Sequence, residues 1–472
     1  MFSRLPRFWM ILSTQLWVAC SHLPPLAIDP NADMYQGVWQ SRGYGWVLQV
    51  EPRRVHFYDV AGQTCVEEDV TQSILPYLDQ VTASVDGQQL SFSSTLDPFV
   101  YTFDTLTTLP AACQTPREAG PIETFDALAA YVAEHYAFFD LYGVDWTSHV
   151  ATLRPRITPQ TSEEELFQVC SDLLRPLRDA HVSLTAQVGS EERNFEGNPG
   201  PFDQYVAEMQ GEADVPPDMS AGQFKRSWWL DGIGQSLLGG KGIITAGGRI
   251  QYGIMEGRVG YLAVVTMGGF VGGAETVEGY HAELPALNQA LDEAMGLFEG
   301  ENVTGVILDL SLNQGGYDFI AQALANRFAQ VPSVAWTKQT LDTPGSTPFE
   351  MKLTPTPLHF WGPTYMLTSR LTVSAGEATV MALRPLEHVA HVGETTRGAF
   401  SNALVKPLPN GWTVSLSNEQ YVDSQGQCWE GRGIPPEETL TVFESSNPLK
   451  SHVEVVMALA GRLGKAPLLP EK

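Results

Sequence analysis

Between residues 250 and 445, short and almost wholly apolar runs alternate with stretches of helical period, and this alternation constrains the fold more than any other feature. Residues 259–265, 303–310, 365–368, 388–392 and 413–417 read as strands, with helical periods at 283–298, 317–328 and 375–383. A strand that is apolar on both faces must be covered on both faces, which requires a largely parallel sheet flanked by helices. The expectation is one α/β domain over residues 250–445, with no fixed-period repeat.

The chain before it has other periods. Over residues 34–112, Tyr35, Val38 and Trp39, then Trp46, Val47, Leu48 and Val50, then Val55, Phe57 and Tyr58 alternate, with turn residues at Arg42-Gly43 and Asp86-Gly87. That pattern predicts a small antiparallel β-rich module over residues 30–118. From Pro121 the spacing becomes helical: Phe125, Leu128, Val132, Tyr136 and Phe139 share a face. Ser162 followed by Glu165 is a capping-box start for a second helix that turns Leu166, Phe167, Cys170, Leu173 and Leu174 inward. Residues 121–186 therefore read as a helical bundle that delivers His181 into a strand-like stretch. Residues 187–248, with Trp228-Trp229, lack periodicity and read as an irregular insertion or lid. A phosphate-loop reading of residues 234–242 fails, because Gln235 stands at the first glycine and Gly242 where a Ser or Thr must hold the metal.

The net charge is −26, from 54 acidic and 28 basic residues, so the chain repels nucleic acid and anionic lipid headgroups. Residues 1–19 open with two arginines and then run apolar for about a dozen residues, too short to span a bilayer but right for export. Residues 1–21 are thus expected to be a signal peptide, or a lipoprotein signal cut before Cys20 and lipidated there, rather than a buried helix. The expected location is periplasmic, outer-membrane-anchored or extracellular, in a bacterium. Export puts the remaining cysteines in an oxidising compartment. Cys65 and Cys113, which flank the β-rich stretch, are expected to pair, and Cys170 with Cys428.

Three segments lie where strands end and chemistry can be placed. ILDLSLNQGGYD (residues 307–318) ends in Gly315-Gly316, which is either a plain strand-to-helix turn or a loop aiming backbone N–H groups above the sheet. LTVSAGEATV (residues 371–380) puts Ser374 at a helix start, where Ser374 with Glu377 is a capping box and also a hydroxyl beside N–H groups and a positive dipole end. QCWEGRGIPPE (residues 427–437) places Glu430 before a glycine-rich turn, where a solvated carboxylate is the plainer reading.

Together with LRDAHVSL (residues 177–184) and VGETTRGAFS (residues 392–401), these segments resemble the serine peptidases related to tail-specific (C-terminal-processing) protease, tricorn protease and interphotoreceptor retinoid-binding protein. The resemblance runs over about residues 121–441. It departs from the family pattern at Ser311, where an Arg is usual, and at Ala399, which occupies the position of the tail-specific branch's catalytic Lys. Arg397 cannot replace that Lys, since a guanidinium does not deprotonate. No peptide-binding PDZ segment is recognisable between His181 and Val259. The chain is therefore more similar to the tricorn-like branch, although Ala180 replaces the Ser that precedes the histidine there.

The resemblance implies a crotonase-like (ClpP/crotonase) spiral α/β catalytic domain behind the helical bundle. It also implies Ser374 as nucleophile, His181 as base and then acid, and Glu430 orienting the histidine directly or through an intermediary. The N–H groups of Ala375 and of Gly315 or Gly316 would hold the oxyanion. No histidine shows metal-ligand spacing, so no metal or cofactor is expected. The implied activity is that of an exported serine endopeptidase acting on peptide or protein substrates. The alternatives are an inactive relative binding a hydrophobic ligand or peptide in the same cleft, and a scaffold whose β-rich module grips a partner.

Overall fold

The computed structural model describes residues 26–114, 119–200, 232–273, 276–340, 348–444 and 446–464. The expected signal, Cys20 and Trp228-Trp229 lie outside them. In its central sheet of seven strands, Ile243–Thr245, Ile250–Met255 and Val259–Val264 pair antiparallel. Val259–Val264, Gly305–Asp309, Thr364–Thr368, Val389–Gly393 and Glu438–Thr439 then continue in parallel. Every residue of Gly305–Asp309 is buried, as a strand covered on both faces must be. One face is closed by helices Val277–Gly300, Asp318–Asn326 and Ala375–Leu383, whose apolar residues share a core with Leu262, Val264, Val306 and Leu308. The other is closed by Pro448–Leu463, with Val456, Leu459 and Leu463 packed on Tyr261, Ala263 and Ile307.

The N-terminal alternation becomes a seven-stranded antiparallel sheet running from Thr64–Glu68 at one edge to Gln80–Ala83 at the other. Behind it, helix Pro121–His135 ends one residue before Tyr136, and Glu163–Leu174 starts with the predicted Ser162–Glu165 capping box. The N-terminal sheet, both helices and a four-stranded sheet share one apolar core, in which Trp39, Phe57 and Phe103 join Phe125, Leu173 and Val414. That four-stranded sheet orders Ala403–Pro407, Thr413–Ser417, Ser183–Val188 and Glu191–Glu196. It carries strands from both halves of the sequence, and its strand Ser183–Val188 begins two residues after His181.

Two expectations are corrected, and one sheet was not foreseen. Residues 191–196 form a strand paired with 183–188, and 243–245 an edge strand of the central sheet, where an irregular stretch was expected. A three-stranded sheet of Phe349–Leu353, Ser333–Thr340 and Glu419–Asp423 had no clear period in the sequence. Cys170 and Cys428 do not pair. Cys170 faces the core from its helix, Cys428 is half-buried at the core's margin, and burial raises both thiols above their usual range.

Cys65 and Cys113 do pair, with Cα atoms 5.1 Å apart. The bond closes 48 residues of the N-terminal sheet. Replacing both cysteines by alanine is expected to lower unfolding free energy by about 2–4 kcal/mol. Urea denaturation checks this, and an unchanged midpoint would contradict it.

Candidate active site

Ser374 sits between strand Thr364–Thr368 and helix Ala375–Leu383 with φ 58° and ψ −126°, a backbone region that favours glycine. Holding a serine there costs on the order of 1–3 kcal/mol, so the surroundings must impose it. The residue is 9% exposed, and its side chain makes no capping hydrogen bond. Half of the expected capping box is present: the Ser374 N–H donates to Glu377 Oε2 at 3.1 Å, while the Glu377 N–H finds the Ser374 backbone oxygen. The hydroxyl thus makes no hydrogen bond to the helix it starts.

The glycine pair is pressed against it. A Cβ on Gly315 would lie 2.6 Å from Ser374 Cβ and 3.2 Å from its Oγ, so only glycine fits there. Asn313, fully buried, shapes that loop: its Oδ1 accepts the Gly315 N–H at 2.9 Å and its Nδ2 donates to Val264 O. The Gly315 amide is therefore committed within its own loop.

The turn at residues 396–401 gathers the other predicted groups. Ala399 O accepts the Ser374 N–H at 2.9 Å. The N–H groups of Gly398 and Ala399 donate to Glu377 at 2.6 and 2.9 Å, and those of Phe400 and Ser401 to Glu430 Oε2 at 3.0 and 3.2 Å. Gly431 N–H returns to Gly398 O at 2.8 Å, closing the Glu430 corner onto the same turn. Glu430 is thus fully buried rather than solvated. Its Oε1 has no hydrogen-bond partner among the described residues. Burial, with Asp179 and Glu377 nearby, holds the carboxyl well above the usual carboxylate range.

His181 lies between the end of the bundle and strand Ser183–Val188. Its backbone N–H is held by Asp179 Oδ1 at 2.8 Å, and Asp179 also accepts from Tyr136 and Ser417. Burial lowers the imidazole pKa, Asp179 opposes that, and the Arg397 charge adds to the lowering. Arg397 itself donates to Asn198 O at 2.6 Å. Among the described residues no hydrogen bond joins His181 to Ser374 or Glu430, and His181 Nδ1 is buried without a partner. Ser374 and Glu430 are therefore bonded to one turn, Gly315 is packed against Ser374, and no hydrogen bond among the described residues brings His181 to either.

Two residues escaped their roles in the sequence. Asp179 carried a signal in the Asp-x-His spacing. Glu377 was visible only as a cap, yet it is fully buried and binds three N–H groups, and burial still pushes its carboxyl up to about 7. A carboxyl raised in the folded state stabilises most below its unfolded pKa, near 4.5, and that contribution fades as pH rises through 7. Glu377→Gln is expected to remove a decline in stability on the order of 3 kcal/mol across that interval. Glu430, raised by the same cause, keeps its own decline of the same sign. Urea midpoints at pH 4.5 and 7.5 test this, and identical slopes in both proteins would contradict it.

Residues 258–440 match the family model of peptidase family S41. A curated relative, the carboxy-terminal processing protease CtpA of Bacillus subtilis, is 29% identical over 154 residues. The match covers 31% of this chain and 31% of that relative, about a third of its length. A crystal structure of a protein from Parabacteroides merdae is similar in fold with a TM-score of 0.55 at 21% identity. It covers 73% of this chain and 97% of its own.

Proposed function

We propose that this chain, whose residues 258–440 match the serine-type peptidase family S41, is an exported endopeptidase hydrolysing peptide bonds of peptide or protein substrates through an acyl-enzyme. The observation that carries the reading is the strained, buried Ser374, whose hydroxyl does not cap its helix and against which Gly315 is packed.

In this reading Ser374 Oγ attacks the substrate carbonyl. Neutral His181 takes the hydroxyl proton and then gives it to the leaving amine, for which its lowered pKa suits it at neutral pH. Ala375 N–H and Gly316 N–H stabilise the oxyanion, Gly315 being engaged by Asn313. Glu430 acts through the 396–401 turn and Asp179 rather than by direct contact. The fold is read as the crotonase-like spiral, with the bundle and N-terminal module in front. Export is supported by the Cys65–Cys113 bond, of the kind an oxidising compartment maintains. No helix among the described residues is long and apolar enough to cross a membrane. Lipidation at Cys20 remains part of the proposal.

One observation favours the ligand-binding alternative: His181 and Ser374 are not hydrogen-bonded. The test is incubation of the mature protein with an unfolded protein chain, with fragments identified by mass spectrometry. Internal cleavages that disappear in Ser374→Ala are expected. An intact substrate that nonetheless binds would favour the alternative.

A further inference from the structure

The N-terminal sheet does not end at its own surface. Its turn at residues 43–45 is driven into the seam between the four-stranded and three-stranded sheets. Gly43, at φ 80°, leaves no room for a Cβ against Thr340, and Gly45, at φ 63°, none against His135 and Val60 O. Tyr44 between them is 6% exposed, stacked on Trp46 at 4.7 Å, and its backbone oxygen is gripped by the buried Lys406 ammonium.

Of three consecutive residues, Ser417 to Glu419, Asn418 and Glu419 receive this turn while Ser417 and Glu419 bond toward the site. The three join strand Thr413–Ser417 to strand Glu419–Asp423. Ser417 Oγ donates to Asp179 Oδ1 at 3.1 Å, the oxygen that fixes the His181 N–H. Asn418 Nδ2 donates to Gly43 O at 3.1 Å. Glu419 Oε1 accepts the Tyr44 hydroxyl at 2.5 Å, and the Glu419 N–H donates to Ser401 Oγ at 3.1 Å. Ser401 N–H in turn holds Glu430. The turn is thus one hydrogen bond from a strand junction that sets both the His181 loop and the Glu430 corner.

We propose that the turn at residues 43–45 is a strut of the catalytic site, with Tyr44 as a positioning residue acting through Glu419. This rests on the peptidase reading above. The β-rich module then serves catalysis from inside the chain, rather than gripping a separate partner. Without the Tyr44 hydroxyl, Glu419 Oε1 is buried with no donor. The carboxylate then turns toward Lys338, which already lies 3.5 Å from its other oxygen. The junction backbone follows, and with it Asp179 and Ser401.

The test compares full-length mature wild type, Tyr44→Phe, Asn418→Ala and Glu51→Gln, well below each melting temperature. The last variant weakens an exposed hydrogen bond with Gln49 in the same module, at the end of strand Trp46–Glu51 remote from the turn. Each is assayed for kcat and KM on an unfolded substrate and for the rate of fluorophosphonate labelling. Tyr44→Phe and Asn418→Ala are expected to lower kcat and labelling about 10- to 100-fold with KM unchanged, as small displacements of reacting groups do. Glu51→Gln should match wild type. A folded Tyr44→Phe with wild-type kcat overturns the proposal, as does an equal loss in Glu51→Gln. Should Tyr44→Phe not fold, Asn418→Ala decides by the same criterion. A wild type that neither hydrolyses nor labels overturns the peptidase reading itself, and this inference with it.

Discussion

His181→Ala is expected to lower kcat by about 10³-fold or more, Ser374→Ala by at least as much, and the double variant no further than the worse single one. A serine hydroxyl is a poor nucleophile until its proton is taken, so losing either partner disables the same step. Non-additivity is the informative part, since two residues acting separately would multiply their losses. The pH profile gives an independent check. Burial lowers the His181 pKa from its ordinary 6.5, so the imidazole stays neutral to lower pH than a solvated one. The acid limb of kcat/KM should therefore have its inflection below 6.5 in wild type and be absent from the residual activity of His181→Ala. A multiplicative double variant, or an acid limb unmoved by the substitution, would argue for another base.

The second large effect falls on stability. Lys406, fully buried on strand Ala403–Pro407, pairs at 2.5 Å with Asp59 of the N-terminal sheet, which is 1% exposed. Burial raises the Asp59 pKa and the Lys406 charge offsets part of that. Lys406→Ala strands a carboxyl in a closed core and is expected to cost about 3–5 kcal/mol. Lys406→Met combined with Asp59→Leu should recover most of it, because the desolvation penalty disappears with both charges. Denaturant titration of the singles and the double gives the coupling directly. A Lys406→Ala loss below about 1 kcal/mol, the range of an exposed pair, would mean that the two parts of the chain are not held together here.

The sequence was most legible where one period dominates. Helix Ala375–Leu383 and strand Thr413–Ser417 lie where their apolar patterns put them, because burial on a fixed face leaves little choice. Helix Val277–Gly300 runs a turn and a half before its strongest pattern, capped by Thr276. The three-stranded sheet was hidden because its strands, such as Ser333–Thr340, mix lysine and glutamine with apolar residues; Lys338 is buried only because Asp318 and Glu419 meet it there. Such partners lie far apart along the chain and leave no local mark.

The site was legible as residue types and obscure as connections. Ser374 and Glu430 stood in their segments, but nothing local announced that one turn, at residues 396–401, would bond to both. Glu377 looked like a cap because S-x-x-E usually is one. It is the anchor of that turn because its carboxylate accepts the N–H groups of Gly398 and Ala399 as well as that of Ser374. Cys170 and Cys428 show the opposite failure: an even number of cysteines in a chain expected to be exported invites pairing, yet core packing took one thiol inward and left the other at the margin.

The central claim is that Ser374 is an activated nucleophile. The most direct measurement is labelling of the mature protein with a fluorophosphonate, with the modified peptide mapped by mass spectrometry. A single adduct on Ser374 is expected, absent from Ser374→Ala and much slower in His181→Ala. A folded protein that takes no label, or carries it on another serine at an undiminished rate in Ser374→Ala, would contradict it.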